Sequence, residues 1–229
     1  IAGFSHTRIE GVGGQGAGGD VLITPTYMDF TKKPAANQRA MRYSHNDETA
    51  EPGYYAVGLT AKNSSGVFDD SMGKIRAEMT SDVRTGYHRY TFPEEGKMGL
   101  TVDLNYTYHG TDIRNATLNI EKGDKTALSG RFSGRNVSGH GKYTMYFYME
   151  TSKPMTEIKT WNGNAVSDSL TQAGNDIGAL LYMDGKAGEV LEVKVSISPI
   201  SVEQAKRDMY KESPTWDFEA MRQSAKDQW

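Results

Sequence analysis

Leu191-Glu192-Val193-Lys194-Val195-Ser196-Ile197 alternates apolar and polar residues without a break. Side chains of a strand point to opposite faces in turn, so Leu191, Val193, Val195 and Ile197 share one face. A helix would scatter the same four residues around its axis. The pattern recurs upstream. Leu100, Val102, Leu104 and Tyr106 alternate with Thr101, Asp103 and Asn105, and Tyr143, Met145, Phe147 and Met149 alternate with Thr144, Tyr146, Tyr148 and Glu150. Ile75, Ala77 and Met79 do the same against Arg76 and Glu78. Further strands are predicted near 54–60, 87–92, 113–121, 126–133, 155–161 and 178–183. Turn signals separate them, among them Lys122-Gly123-Asp124, Asn162-Gly163-Asn164 and Met183-Asp184-Gly185-Lys186. Many strands with one polar face each imply two packed antiparallel sheets. Tyr146 and Tyr148 stand on the polar face of their strand, which predicts a further layer packed over them.

The period changes after Pro199. Ser201 with Gln204 forms a Ser-x-x-Gln capping box that opens a helix with Val202, Ala205 and Met209 on its apolar line. Pro214 interrupts, and a second helix places Phe218, Met221, Ala225 and Trp229 on one face. Such a stripe is costly in water. It can dock on the sandwich or on a following domain, and the second is favoured here. The chain therefore divides into a β-sandwich over 1–199 and a helical linker over 200–229.

Composition excludes several classes. The chain has 229 residues, a net charge of -3 and no cysteine. That charge leaves no electrostatic footprint for nucleic acid. Disulfide scaffolds, thiolate metal sites and cysteine nucleophiles are excluded. No apolar run is long enough for a transmembrane helix. The chain starts at Ile1 without an initiator or signal sequence, and reads as an internal piece of a larger protein.

The first 25 residues, IAGFSHTRIEGVGGQGAGGDVLITP, hold the candidate site. Polar side chains precede a glycine-rich loop whose backbone can approach a ligand closely. His6, Arg8 and Glu10 at spacing two share one face of a strand. Arg8 in the middle would repel a metal ion, so the cluster reads as sugar-binding, with Arg8 and Glu10 on hydroxyls and His6 as donor or acceptor. An ordinary ion pair at a strand edge is the plainer reading. Gly11 to Gly16 satisfies G-x-G-x-x-G, but a strand follows where a dinucleotide site needs a helix. His45 and Glu48 can hydrogen-bond each other ahead of the Pro52-Gly53 turn, and Arg89 can stack on a ring. Asp69-Asp70, Asp103 and Asp112 lack the spacing of a calcium-binding hand.

Several segments in order carry a resemblance. They are Gly3-Phe4-Ser5-His6-Thr7, residues 18–25, Tyr43-Ser44-His45 with Glu48, Pro52-Gly53-Tyr54-Tyr55, Ile75 to Thr80 and Gly86 to Pro93. Together they resemble the N-terminal domain of glycoside hydrolase family 92, the calcium-dependent exo-acting α-mannosidases. The tail from Ser201 to Trp229 resembles that family's helical linker. The resemblance implies an antiparallel β-supersandwich of galactose mutarotase type, packed in the parent protein against an (α/α)6 catalytic domain. It implies inverting hydrolysis of terminal α-mannose by two carboxylates with room for water between them. In the family those carboxylates and the calcium ligands belong mostly to the barrel, so no catalytic residue, no metal ligand and no bound calcium are expected in this chain. Segments preceding the Gly-Phe-Ser-His motif normally complete the sandwich. The implied substrate contacts are Phe4, His6, Arg8 and Glu10. The implied partners are a mannose-containing glycan and the catalytic domain, and the implied compartment is periplasmic or secreted. Arg8 stands where the family often has a second histidine, and Glu10 to Gly14 replace a Ser-Gly-Thr-Gly-Cys-like loop, which bears on linkage preference. A stand-alone carbohydrate-binding module, stacking sugar on outward tyrosines and Trp161, is the alternative.

Overall fold

The computed structural model describes residues 1–9, 17–63, 65–107, 114–135 and 141–228. Its strands are β1 (Arg8–Ile9), β2 (Ala17–Gly18), β3 (Leu22–Thr26), β4 (Arg42–Glu51), β5 (Tyr54–Thr60), β6 (Lys74–Ser81), β7 (Thr85–Phe92) and β8 (Gly96–Asp103). There follow β9 (Ala116–Lys122), β10 (Thr126–Arg135), β11 (Lys142–Thr151), β12 (Glu157–Asn162), β13 (Ala165–Ser167), β14 (Thr171–Gly174), β15 (Ile177–Gly185) and β16 (Glu189–Ser198). Three α-helices are α1 (Ala36–Arg39), α2 (Val202–Glu212) and α3 (Phe218–Asp227).

Among the described residues a nine-stranded antiparallel sheet runs β14-β9-β10-β11-β16-β7-β6-β5-β4, and a five-stranded sheet runs β13-β12-β15-β8-β3. The two faces meet in one core. Leu191, Val193 and Val195 of the large sheet are buried with Leu100 and Val102 of the small one. This is the sandwich that alternation predicts, because each strand has one apolar face to hide.

The other face of the large sheet is covered by helices. Ala205 and Met209 of α2 pack on Tyr148, as the tyrosines of β11 foretold. The Ser201 hydroxyl accepts from the Gln204 backbone amide at 3.1 Å, so the serine half of the predicted capping box forms, while the Gln204 side chain turns instead to Asp208 and Arg207. Phe218 and Met221 of α3 bury themselves against Tyr54, Ala56 and Tyr87. Of the two dockings open to this stripe, the structure adopts the one on its own sheet. The reason lies in Tyr54 and Tyr87, whose rings leave an aromatic patch that water would otherwise cover. Lys194, polar by pattern, is buried under this layer and donates to the carbonyls of Ser213 and Thr215 at 2.8 and 2.7 Å. Its ammonium also sits 4.3 Å from the Trp216 ring centre.

Two details of the opening segment, and one elsewhere, differ from expectation. Pro25, a residue type that commonly ends a strand, lies within β3, at the edge of the small sheet, where a missing donor is tolerated. His6 lies in a bend, and only Arg8–Ile9 is strand, paired with Ala17–Gly18. His6 and Arg8 therefore do not share a regular strand face. Trp161 is fully buried beside Phe30, Leu180 and Tyr182, which removes it as a sugar-stacking platform.

Candidate functional site

Gly86 and His88 of β7 and Val195 and Ile197 of β16 line a groove together with residues 3–6 of the opening segment. Phe4 bridges to Ile23 of β3 and points its ring at Tyr55, His88 and Tyr90, with centroids 6.5, 6.2 and 6.4 Å away. His6 stacks on His88 with centroids 4.8 Å apart and an interplanar angle of 8°. Beside them the groove is open, with a volume of about 720 Å³, and is lined by Phe4, Ser5, His6, Tyr55, Gly86 and Ile197, among others. Gly86 leaves room for the stack, since a Cβ there would stand 3.1 Å from the His6 ring and the ring would have to shift by a few tenths of an ångström.

The hydrogen bonds determine both histidine tautomers. His6 Nδ1 lies 2.8 Å from the Val21 carbonyl, which can only accept, so Nδ1 carries the proton. His6 Nε2 then accepts from His88 Nε2 at 3.0 Å. His88 Nδ1 is left to accept from the Tyr90 hydroxyl at 2.7 Å. The chain reads Tyr90 O–H to His88, His88 N–H to His6, His6 N–H to Val21. Burial disfavours the imidazolium and lowers His6 to about 4, despite the carbonyl bond that opposes it. His88 falls well below the usual histidine range through burial and then repulsion from His6. Both rings are neutral near pH 7, and both nitrogens of each are used inside the protein.

Val21 is itself unusual. It is a buried β-branched residue with φ of 52°, a conformation that costs about 1–3 kcal/mol. A charge network holds it. The Asp20 carboxylate pairs with the Arg114 guanidinium, and both side chains are fully buried. The same carboxylate accepts from Thr7 at 2.5 Å and Tyr143 at 2.7 Å. Gly19 donates to the Thr7 carbonyl at 2.6 Å, and a Cβ on Gly18 (φ 99°) would come within 2.6 Å of that oxygen. These two glycines thus serve close packing of the opening segment.

Phe4 and His6 are brought together as the sequence implied. The Arg8 side chain, Glu10 and residues 11–16 lie outside the described residues, as do Asp112 and Trp229. Sequence reasoning missed Asp20, Arg114 and Tyr143 as a group and did not pair His6 with His88. Their spacing along the chain carries no signal, although a charged residue inside an apolar strand start was visible at Asp20. His45 Nδ1 does meet Glu48 Oε2, at 2.5 Å. Arg89 does stack on a ring, with its guanidinium 4.2 Å from the centre of Phe218. No group of three His, Asp or Glu side chains able to hold a metal occurs among the described residues. Among them, no helix is long and apolar enough to cross a membrane.

Comparison with known proteins adds the lineage. A profile described as the glycosyl hydrolase family 92 N-terminal domain matches residues 1–198. No functionally curated protein matches. The structure of a GH92 family glycosyl hydrolase, ccman5, superposes with a TM-score of 0.90 at 34% identity over 100% of this chain and 30% of that one. A family GH92 α-mannosidase from Bacteroides thetaiotaomicron, in complex with mannoimidazole, matches with a TM-score of 0.82 at 26% identity, over 98% of this chain and 29% of its own. A family GH92 inverting mannosidase of the same species shares the fold at 23% identity and a TM-score of 0.70, over 91% of this chain and 25% of its own. The chain spans less than a third of each of these structures.

Proposed function

The chain belongs to the glycosyl hydrolase family 92 N-terminal domain, and on that premise we propose that it forms the non-catalytic wall of the active-site cleft of an exo-α-mannosidase. The observation that carries this reading is the groove walled by Phe4 and His6. An apolar ring beside an exposed serine suits a pyranose, which has a hydrocarbon face and a hydroxylated rim. Phe4 would meet the hydrocarbon face. Arg8 and Glu10 would supply charged hydrogen bonds to hydroxyls. His6, with its nitrogens engaged by Val21 and His88, would contribute its ring edge and hold Phe4 in place.

Proton transfer in this reading belongs to carboxylates of a following (α/α)6 domain, reached through the 200–229 linker, and the reaction inverts the anomeric centre. In this reading the calcium of the parent protein would be held by the catalytic portion. The substrate would be terminal α-mannose of a glycan, N-glycans included, met in the periplasm or outside the cell. The stand-alone binding module loses its platform with Trp161 buried.

The test is hydrolysis of 4-nitrophenyl α-mannoside by the full-length parent protein and by this chain alone. The parent should release β-mannose first, followed by proton NMR, and the chain alone should be silent. Turnover by the isolated chain would refute the division of labour.

A further inference from the structure

His45 and Glu48 are not used by the wall described so far, yet the fold goes out of its way to present them. Strand β4 is an edge strand, and its ladder with β5 steps from Tyr43↔Leu59 directly to Glu48↔Val57. Five steps on β4 thus oppose two on β5, and residues 44–47 bulge outward. Bulges re-aim side chains at the expense of ladder bonds. This one is held from below. Lys74 pairs with the Asp47 carboxylate, and Arg76 donates to the Asp47 carbonyl at 3.1 Å.

What the bulge presents is an oriented imidazole. The His45 side chain is 82% exposed, and its Nδ1 meets Glu48 Oε2 at 2.5 Å. A carboxylate accepts only, so Nδ1 carries the proton and the lone pair of neutral His45 sits on Nε2, facing outward. Glu48 is fixed in turn, because its other oxygen accepts from the Tyr55 hydroxyl at 2.6 Å. Those two bonds, Tyr55 first and His45 second, hold the Glu48 carboxyl below its usual range. Tyr43 stands edge-on to His45 at 5.4 Å and 83°, with 41% of its surface exposed. A purely structural role explains little of this, since an exposed ion pair contributes about 0–1 kcal/mol and Lys74 and Arg76 already pin the bulge. The direction is informative as well. Tyr55, which holds Glu48, is also the neighbour of Phe4 at 6.5 Å. Glu48 and Tyr55 therefore link the imidazole to Phe4 at the wall of the groove.

We propose that Tyr43 and His45 form a second sugar-contacting position, which receives the pyranose ring next to the terminal one: the Tyr43 ring takes its hydrocarbon face and His45 Nε2 accepts one of its hydroxyls. Glu48 and Tyr55 are positioning residues that aim this acceptor. The assignment of the ring as the neighbour of the terminal sugar rests on the cleft-wall reading.

The experiment compares α-mannobiose with 4-nitrophenyl α-mannoside on the full-length parent protein. In His45→Ala and Tyr43→Ala the ratio of the mannobiose KM to the aryl mannoside KM should rise about ten-fold, the loss of one hydrogen bond or ring contact. His45→Gln, whose amide oxygen reaches the same place, should restore most of it. An unchanged ratio in both alanine variants would overturn the proposal. If the wild-type parent hydrolyses neither substrate, the cleft-wall reading fails by itself. Titration of the protein with α-mannobiose, followed by the His45 imidazole resonances, then decides the second position. A saturable shift lost in Tyr43→Ala sustains it, and no shift overturns it.

Discussion

Strands β5, β6 and β7 are dressed in opposite ways on their two faces. On the outer face Tyr54, Tyr87, Glu78 and Arg89 lie beneath α3. Every charge there has a partner: Arg89 bridges Glu78 and Glu219, both at 2.7–2.8 Å, and stacks on Phe218. Arg222 lies 3.6 Å from the ring centre of Tyr54. On the inner face, one residue along, stand Tyr55, His88 and Tyr90, joined to Phe4 and His6. There the rings are neutral, the bonds form one directed chain, and a groove stays open beside them. The outer face is closed by cations that rest on rings and need no ligand. The inner face carries neutral rings and stays half-open, with the charges of Glu51, Asp82 and Arg84 at the groove lining, so a hydroxylated ring would meet both a ring face and charged hydrogen-bond partners there.

The largest test of this contrast is removal of the charge that anchors the opening segment. Asp20→Ala strands the fully buried Arg114 guanidinium and should cost about 3–5 kcal/mol, read as a fall in the urea midpoint. A loss below 1 kcal/mol would mean that the segment is not held by this network. On the outer face, Phe218→Ala removes the ring at the centre of the α3 contact and should cost about 3 kcal/mol. Amide exchange in Met221–Ala225 should quicken, while exchange in β16 is unchanged after correction for global stability.

A smaller effect dissects the inner chain. His88→Leu deprives His6 Nε2 of its donor and Tyr90 of its acceptor, at about 2 kcal/mol. His88→Gln keeps a donor toward His6 and should recover about half. Imidazole nitrogen NMR of the native protein should find His6 protonated on Nδ1 and His88 on Nε2. The reverse tautomer of His6 would break the assignment.

The most selective readout is pH. His6 is lowered to about 4 in the fold, against about 6.5 in an unfolded chain. Between those values the unfolded state binds more protons, so stability rises with pH from about 4 to about 6.5 and falls as the solution is acidified. His88 acts in the same direction. On the outer face burial lowers Lys194 to about 8, which puts its own rise between about 8 and the lysine value near 10.5. His6→Leu should flatten the acid slope alone and Lys194→Met the alkaline slope alone. Loss of both slopes in either variant would show the faces to be coupled.

Most strands were legible because period two is a local property. Leu191 to Ile197 and Tyr143 to Met149 fall in β16 and β11, and Leu100 to Asp103 in β8, which stops short of the predicted Tyr106; their apolar residues enter one core. The cap at Ser201 and the His45–Glu48 bond are equally local, with partners three residues apart. The opening segment was harder. Its alternation predicted a strand through His6, yet the chain bends there, because the His6 ring is drawn to His88 and the Thr7 carbonyl to Gly19. Trp161 near a turn looked exposed and is buried, since Phe30 folds back over it.

Residue type and spacing were enough to establish a two-layer antiparallel body and its helical tail. They rest on forces between neighbours in the chain: alternation, caps and turns. Which face α3 covers, how His6 finds a partner 82 residues away, and why Asp20 can be buried came only from the folded arrangement. Those depend on where strands distant in sequence are set side by side. A buried charge or an imidazole takes its protonation and its role from neighbours that no local pattern names.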